Sequence, residues 1–233
     1  LLVGGLLLLV MMVLLSGGVW IAMTLAICGW VGQAFFTSTQ PGKNLFSAFW
    51  ESNASWELAA LPLFIWMGEI LYRTRLSQDM FRGLAPWMRW LPGGLLHTNI
   101  AVCTVFGAVS GSSMSVSAAV GSVAYPELSQ RGYDRRLVVG SLAGGGTLGL
   151  LIPPSLSLLI YGALTDTSIG KLFLAGVFPG LMMAALFMVY IEFTVRRQPS
   201  LAPQEPRMPW GETLRATMAV WPILVLILAV LGS

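Results

Sequence analysis

The chain is short of charge. Asp, Glu, Lys and Arg make up 10% of its 233 residues, against about 25% in a soluble globular domain. A surface so poor in charge cannot meet water on every side, which excludes a free-standing soluble fold. Histidine is scarcer still, with His97 the only one. A His-rich metal centre therefore lacks its ligands, and no Gly-x-Ser-x-Gly elbow precedes a nearby base, so the usual hydrolytic relays lack their parts as well. The only cysteines, Cys28 and Cys103, sit in separate apolar runs; they read as small buried hydrophobes rather than a disulfide or a metal pair. Clustered Lys/Arg with interleaved aromatics on a soluble face is missing too, which removes nucleic acid as a partner. There is no initiating Met, and the sequence stops inside the apolar run Met218–Leu231, so both ends read as cut. Leu1–Gly18 has neither the basic start nor the small-residue cleavage site of a signal peptide.

What is abundant is apolar sequence: 56% of the residues, in runs approaching the 20 or so that a bilayer crossing needs. The expected fold class is an all-α integral membrane protein, a multi-span helical bundle with a lipid bilayer as its surroundings. Residues 1–90 read as scaffold spans with interfacial helices. These are Leu1–Leu15, Val19–Phe36 and Trp56–Leu71, with a short interfacial helix carrying Leu45, Phe46, Phe49 and Trp50. The Arg-studded amphipathic stretch Tyr72–Trp90 follows and ends at Leu91-Pro92-Gly93-Gly94.

Residues 91–171 read as a distinct unit. Leu95–Val109 and Met114–Leu128 are each too short to cross, and Ser110-Gly111-Ser112-Ser113 joins them at what would be membrane depth. Two short arms with a Gly/Ser tip predict a re-entrant helical hairpin over 95–128, because irregular backbone survives at that depth only when buried in protein or lining a cavity. The next helix, 137–164, is interrupted at Gly144–Ser155 by Pro153-Pro154. Proline lacks an N–H and clashes with the preceding turn, and it disfavours helix at Ile152 just before it. Apolar sequence resumes at Leu156, which predicts a discontinuous helix. A full span over 172–197, a cytoplasmic linker over 198–217 and the start of another span over 218–233 complete the chain.

Charge sets the topology. Arg73, Arg75, Arg82, Arg89, Arg131, Arg135, Arg136, Arg196, Arg197, Arg207 and Arg215 fall on one side, with only Lys43 and Lys171 opposite, provided that 95–128 enters and leaves by the same face.

The ionisable groups near the spans read as structural. Glu69 and Glu192 each have an arginine four residues on, Arg73 and Arg196. A proton relay at Glu69 is the alternative. His97 reads as an interfacial polar residue, and Gly140 and Gly144 as helix-packing residues. The two breaks carry the chemistry. A helix interrupted in a membrane bares carbonyls at one half-helix end and N–H groups at the other; transporters place cations on the former and anions on the latter. Sodium, a hard cation, needs only backbone and hydroxyl oxygens. The tip (Ser110, Gly111, Ser112, Ser113) and the interruption from Gly145 to Ser155 supply both.

These same stretches resemble the large membrane subunit of TRAP (tripartite ATP-independent periplasmic) transporters, the DctM type. The resemblance runs through Leu61-Pro62-Leu63-Phe64 with Gly68-Glu69, Leu91-Pro92-Gly93-Gly94, Phe106 to Ser113, Gly132-Tyr133-Asp134 and Gly145 to Ser155. It continues in Ile160-Tyr161-Gly162, Ser168-Ile169-Gly170 and Leu174-Ala175-Gly176. Ser157, where the family often has a proline, and the polar Met114–Ser117 stretch depart from it. The resemblance implies the first inverted repeat of an elevator-type transporter. It implies a Na⁺ site on Ser110, Ser112, Ser113, Gly145, Thr147, Gly149 and Pro153, and a substrate pathway past Pro154 and Ser155. It also implies Na⁺ as coupling ion with no other cofactor or metal, and no enzymatic activity. The implied partners are a small four-helix membrane subunit and a periplasmic solute-binding protein in the bacterial inner membrane, and the implied substrates are organic acid anions such as C4-dicarboxylates, keto acids or sialic acids. A stand-alone carrier of related two-hairpin fold, a membrane-embedded enzyme and a purely structural membrane subunit are the alternatives.

Overall fold

The computed structural model describes residues 2–37, 40–54 and 59–203, with 211, 213, 216, 221 and 225 beyond them. The expected span over 218–233 and most of the 198–217 linker lie outside the described residues. All regular structure among those described is helical, and the chain forms two compact units, 1–58 and 59–233.

In the first unit α1 (Leu2–Ser16) turns back at Gly17-Gly18 into α2 (Ile21–Phe36), and α3 (Pro41–Asn53) packs on α2. Pro41 opens α3, where its missing N–H would have had no helical partner. Gly32 receives the Leu7 side chain at the α1–α2 contact. Leu8, Leu9, Met12, Ile21 and Met23 are left exposed. Such a surface suits lipid, not water.

The second unit contains α4 (Ala60–Arg73), α5 (Leu76–Met88), α6 (Leu95–Ser110), α7 (Ser113–Gln130), α8 (Arg135–Leu151), α9 (Leu156–Leu164), α10 (Ile169–Arg197) and a 3₁₀ turn, Pro199–Leu201. The stretch 72–90 is not one helix. Extended Thr74 ends α4 with its hydroxyl on the Leu71 carbonyl, and α5 restarts at Leu76. The helix expected from 137 begins at Arg135, because the Asp134 carboxylate accepts the N–H groups of Arg136 and Leu137, both at 3.0 Å. Two stretches, 135–164 and 169–197, are long and apolar enough to cross a membrane.

Helix α6 lies at the centre of the unit. Leu95, Leu96, Ile100, Val102, Cys103, Phe106 and Val109 are all buried, while the stripe Ala101, Thr104, Val105 and Ala108 is half-buried. It packs on α4, α5, α7, α8 and α10. Between helices in lipid, water exclusion contributes little, and association rests on close packing through small residues. A β-carbon at Gly145 would stand 2.9 Å from Cys103 Sγ, and one at Gly107 would stand 2.9 Å from Gly149 Cα. Of the pair read as packing residues, Gly144 does pack, against the Phe187 ring of α10, while Gly140 has no neighbour within 4 Å.

His97 also departs from expectation. It is 1% exposed, and Thr98 and Asn99 beside it are fully buried. The turn 91–94 folds over the start of α6, so His97 Nε2 lies 2.8 Å from the Pro92 carbonyl and Gly93 covers the ring. Asn99 donates to Ser141 Oγ at 3.0 Å, tying α6 to α8.

Candidate functional site

The hairpin tip is made by two changes of backbone direction. Helix α6 ends when Gly111 takes the left-handed conformation (φ +59°) and donates its N–H to the Gly107 carbonyl at 3.0 Å. Glycine bears that conformation without the penalty of a Cβ. Ser112 is extended, and α7 begins at Ser113. The hairpin closes at its other end by a tertiary bond. A Schellman turn ends α7, with Gly132 at φ +81° and Tyr133 N–H bonded to the Leu128 carbonyl at 3.1 Å. The turn aims the Tyr133 hydroxyl at the Leu95 N–H, 3.4 Å away. Entry into α6 and exit from α7 therefore sit together.

The interruption in the next helix has an equally local cause. Ile152 makes the last α8 bond, to Leu148 at 2.9 Å. Pro153 and Pro154 have no N–H for the Gly149 and Leu150 carbonyls. Ser155 Oγ satisfies Leu150, at 2.6 Å. No helical N–H reaches Gly149. Residues 152–155 are buried and bend through a cis Pro153–Pro154 peptide bond before α9 starts at Leu156. This segment rests on a stripe of small residues on α10: Gly180 faces Ile152, Gly176 faces the Leu151 carbonyl and the Pro153 ring, and Ala184 continues the row.

The tip and the interruption meet. Leu156, the first residue of α9, donates its N–H to the Gly111 carbonyl at 3.3 Å. A Cβ on Gly111 would stand 2.8 Å from the Pro154 carbonyl oxygen, and one on Gly149 would stand 3.2 Å from the Ser112 carbonyl oxygen. The C-terminal ends of α6 and α8 thus converge with the N-terminal ends of α7 and α9. Partial negative charge collects at the first pair and partial positive charge at the second. Ser110 Oγ and Ser113 Oγ are both buried there without a hydrogen-bond partner, an arrangement that costs about 1–3 kcal/mol per group unless something fills it.

Of the residues singled out in the sequence, Ser110, Gly111, Ser112, Ser113, Gly149, Pro154 and Ser155 are brought to this place. Pro153 turns its ring to Gly176 of α10. Gly145 lies one turn down α8 against Cys103. Thr147 is on the exposed face of α8 with its hydroxyl on the Gly144 carbonyl at 2.7 Å. Three neighbours fell within the stretches that carry the resemblance but were not singled out as site residues. Gly107 lets α6 cross Gly149, Gly68 of α4 approaches the Ser110 carbonyl, and Gly146 faces Ser117 and the Ser113 carbonyl. Their packing role is not marked in a single sequence, since what each glycine accommodates belongs to another helix. The α10 seat was legible as Gly176-x₃-Gly180-x₃-Ala184.

Among the described residues, no three His, Cys, Asp or Glu side chains gather as a metal-binding group. Glu69 is half exposed and pairs with Arg73 at 2.7 Å; Glu192 pairs with Arg196 at 2.5 Å. Exposed pairs of this kind contribute little, so Glu69→Gln should change stability by less than about 1 kcal/mol, measured as the shift in unfolding temperature.

Residues 8–233 match the model of a protein family described as the tripartite ATP-independent periplasmic transporter, DctM component. The chain is 36% identical over 168 residues to the ectoine TRAP transporter large permease protein TeaC of Halomonas elongata, covering 71% of this chain and 39% of that protein. It is 32% identical over 205 residues to the C4-dicarboxylate TRAP transporter large permease protein DctM of Vibrio cholerae, covering 88% of this chain and 44% of that one. A third relative, the isethionate TRAP transporter permease protein DctMQ of Oleidesulfovibrio alaskensis, is 35% identical over 136 residues, 58% of this chain and 21% of its own length. The chain spans less than half the length of these relatives.

Proposed function

Because the chain belongs to the DctM component family of tripartite ATP-independent periplasmic transporters, we propose that it is the first half of the large permease subunit of a sodium-coupled importer of organic acids in the bacterial inner membrane. The observation that carries this reading is the junction of the 110–113 tip with the 152–155 interruption, where two buried hydroxyls, Ser110 and Ser113, lack partners beside a carbonyl, Gly149, that its own helix leaves unbonded. Oxygen donors at helix C-terminal ends suit a desolvated monovalent cation. The N-terminal ends of α7 and α9 at the same junction suit a carboxylate of the substrate. Two close relatives are named for C4-dicarboxylate and ectoine, in keeping with a carboxylate-bearing solute.

Helices α6 and α7 are read as a re-entrant hairpin. At 16 and 18 residues the arms reach about 24 and 27 Å, short of the roughly 30 Å hydrocarbon core, and their outer ends are tied together by Leu95 and Tyr133. Hairpin and interrupted helix, locked by the Leu156–Gly111 bond, would travel as one body in an elevator movement. The partners are a small membrane subunit and a periplasmic solute-binding protein; the name DctMQ of one relative is in keeping with a permease joined to a second component.

Uptake by the complete subunit, reconstituted with both partners in proteoliposomes, tests the proposal. It should require an inward sodium gradient and the binding protein. The double variant Ser110→Ala with Ser113→Ala should raise the half-saturating sodium concentration about tenfold, the effect of losing roughly 1.4 kcal/mol of cation binding. Unchanged sodium dependence would remove the site assignment. Uptake without the binding protein would favour the stand-alone carrier.

A further inference from the structure

The α5–α7 face carries a second feature that the transport pathway does not use. A cleft of about 490 Å³ opens between α5, the start of α6 and the outer half of α7. Phe81, Val123 and Pro126 form its apolar wall, Ala216 also borders it, and Arg82, Arg89 and Arg131 line it, with Glu127 the one carboxylate among the described lining residues. Glu127 is engaged by Arg131, Oε1 to Nε at 2.9 Å. Arg82 and Arg89 come from α5 and its C-terminal end, and Arg131, more than forty residues on, joins them at the end of α7. Just outside the lining, Trp87 is 38% exposed and Trp90 66% exposed, the kind of side chain that settles at headgroup level.

A soluble anion would use the guanidinium groups and leave the apolar wall in water. A zwitterionic lipid would use the wall but bring, beside its phosphate, a cation that the arginines repel. An amphiphile with an anionic head uses both. We propose that this cleft holds the phosphate headgroup and first acyl carbons of an anionic phospholipid from the cytoplasmic leaflet, with Arg82 as the principal phosphate contact and Arg131, already paired with Glu127, as a secondary one. The bound lipid spans α5 and the hairpin exit, so it staples the amphipathic helix to the unit that carries the tip. Lipid binding here requires that the chain is embedded in a membrane with this arginine face on the cytoplasmic side; it does not depend on sodium and would stand if the sodium site failed.

The complete subunit, purified in detergent and stripped of lipid, would be titrated with phosphatidylglycerol, with phosphatidylcholine and with inorganic phosphate, reading retained lipid by native mass spectrometry and the unfolding temperature alongside. Phosphatidylglycerol should be retained in preference to phosphatidylcholine and should raise the unfolding temperature, while inorganic phosphate should not. Arg82→Gln should weaken phosphatidylglycerol retention about fivefold, and adding Arg131→Gln, whose guanidinium is already paired with Glu127, should weaken it further by a smaller factor, with phosphatidylcholine unaffected. Arg82 is on the exposed face of α5, so its single variant tests the site even if the double variant folds poorly. Equal retention of the two lipids, an unaltered preference in Arg82→Gln, or protection by inorganic phosphate alone would overturn the proposal. Release of the small membrane subunit rather than of lipid on mutating Arg82 would assign the face to a protein partner instead.

Discussion

Gly111→Val in the complete subunit should lower sodium-driven uptake by about a hundredfold while the protein still inserts and folds. Valine is disfavoured twice at this position. The left-handed conformation costs an L-residue about 1–2 kcal/mol and is hardest on a β-branched one. The new Cβ would also stand 2.8 Å from the Pro154 carbonyl oxygen and 3.3 Å from the Leu156 nitrogen, both of them backbone atoms that cannot swing aside. Overpacking of this kind adds about 1–3 kcal/mol, and roughly 3 kcal/mol in total corresponds to two orders of magnitude in an equilibrium. The strain is confined to the tip, whereas the packing of α6 on α8 lower down is untouched. The tip should therefore lift from the interruption, breaking the Leu156–Gly111 bond and opening the oxygen cluster. The wild-type subunit should show a rise in unfolding temperature with added sodium, as any ligand of the native state produces, and the variant should lose that rise. Gly170→Val, at a glycine with nothing within 4 Å, serves as the control. Uptake and sodium stabilisation within about twofold of wild type in Gly111→Val would mean that the tip and the interruption do not work together.

Much of the fold could be read from residue order alone, and the reason differs from element to element. Pro153-Pro154 forces an interruption whatever surrounds it, because the missing N–H groups are a property of those residues. The break between α6 and α7 was legible as the Ser-Gly-Ser-Ser stretch between two apolar runs. Boundaries shifted where a side chain competes for the backbone. Thr74 splits the 72–90 stretch, and Asp134 starts α8 before the apolar run begins. The candidate site was legible as two segments but not as one place. That Gly111 bonds to Leu156, and that Ser112 lies against Gly149, follows from how closely α6 and α8 approach. That approach depends on Gly107 and Gly145, whose neighbours are distant in sequence. His97 illustrates the same limit. At the mouth of the hairpin it reads as interfacial, yet the fold of Pro92–Gly94 over the helix start buries it. Periodicity reports which face of a helix is apolar; the start of α6, Leu95 to Ile100, is buried all round and offers no such contrast.

Gly107→Val should fail in a different way from Gly111→Val, and the contrast separates the site from its support. At the crossing of α6 and α8 the Cβ of residue 107 would stand 2.9 Å from Gly149 Cα and 3.1 Å from Gly149 N. Neither atom belongs to a side chain that can change rotamer, so the two helices themselves must move apart. Association in lipid depends on close contact more than on exclusion of water, and separation here would also strip contacts from Phe106, Val116 and Leu148, all fully buried. The expected cost is at the upper end of about 1–3 kcal/mol, equivalent to a drop of about 5 °C or more in the unfolding temperature of the purified subunit. Membrane abundance should fall with it. Gly140→Val, on the same α8 but with no neighbour within 4 Å, should leave both quantities unchanged. If Gly107→Val unfolds within about 1 °C of wild type, α6 and α8 are not in backbone contact at this level. The carbonyl of Ser112 would then have no reason to lie beside Gly149, and the oxygen cluster would lose the support on which its geometry depends.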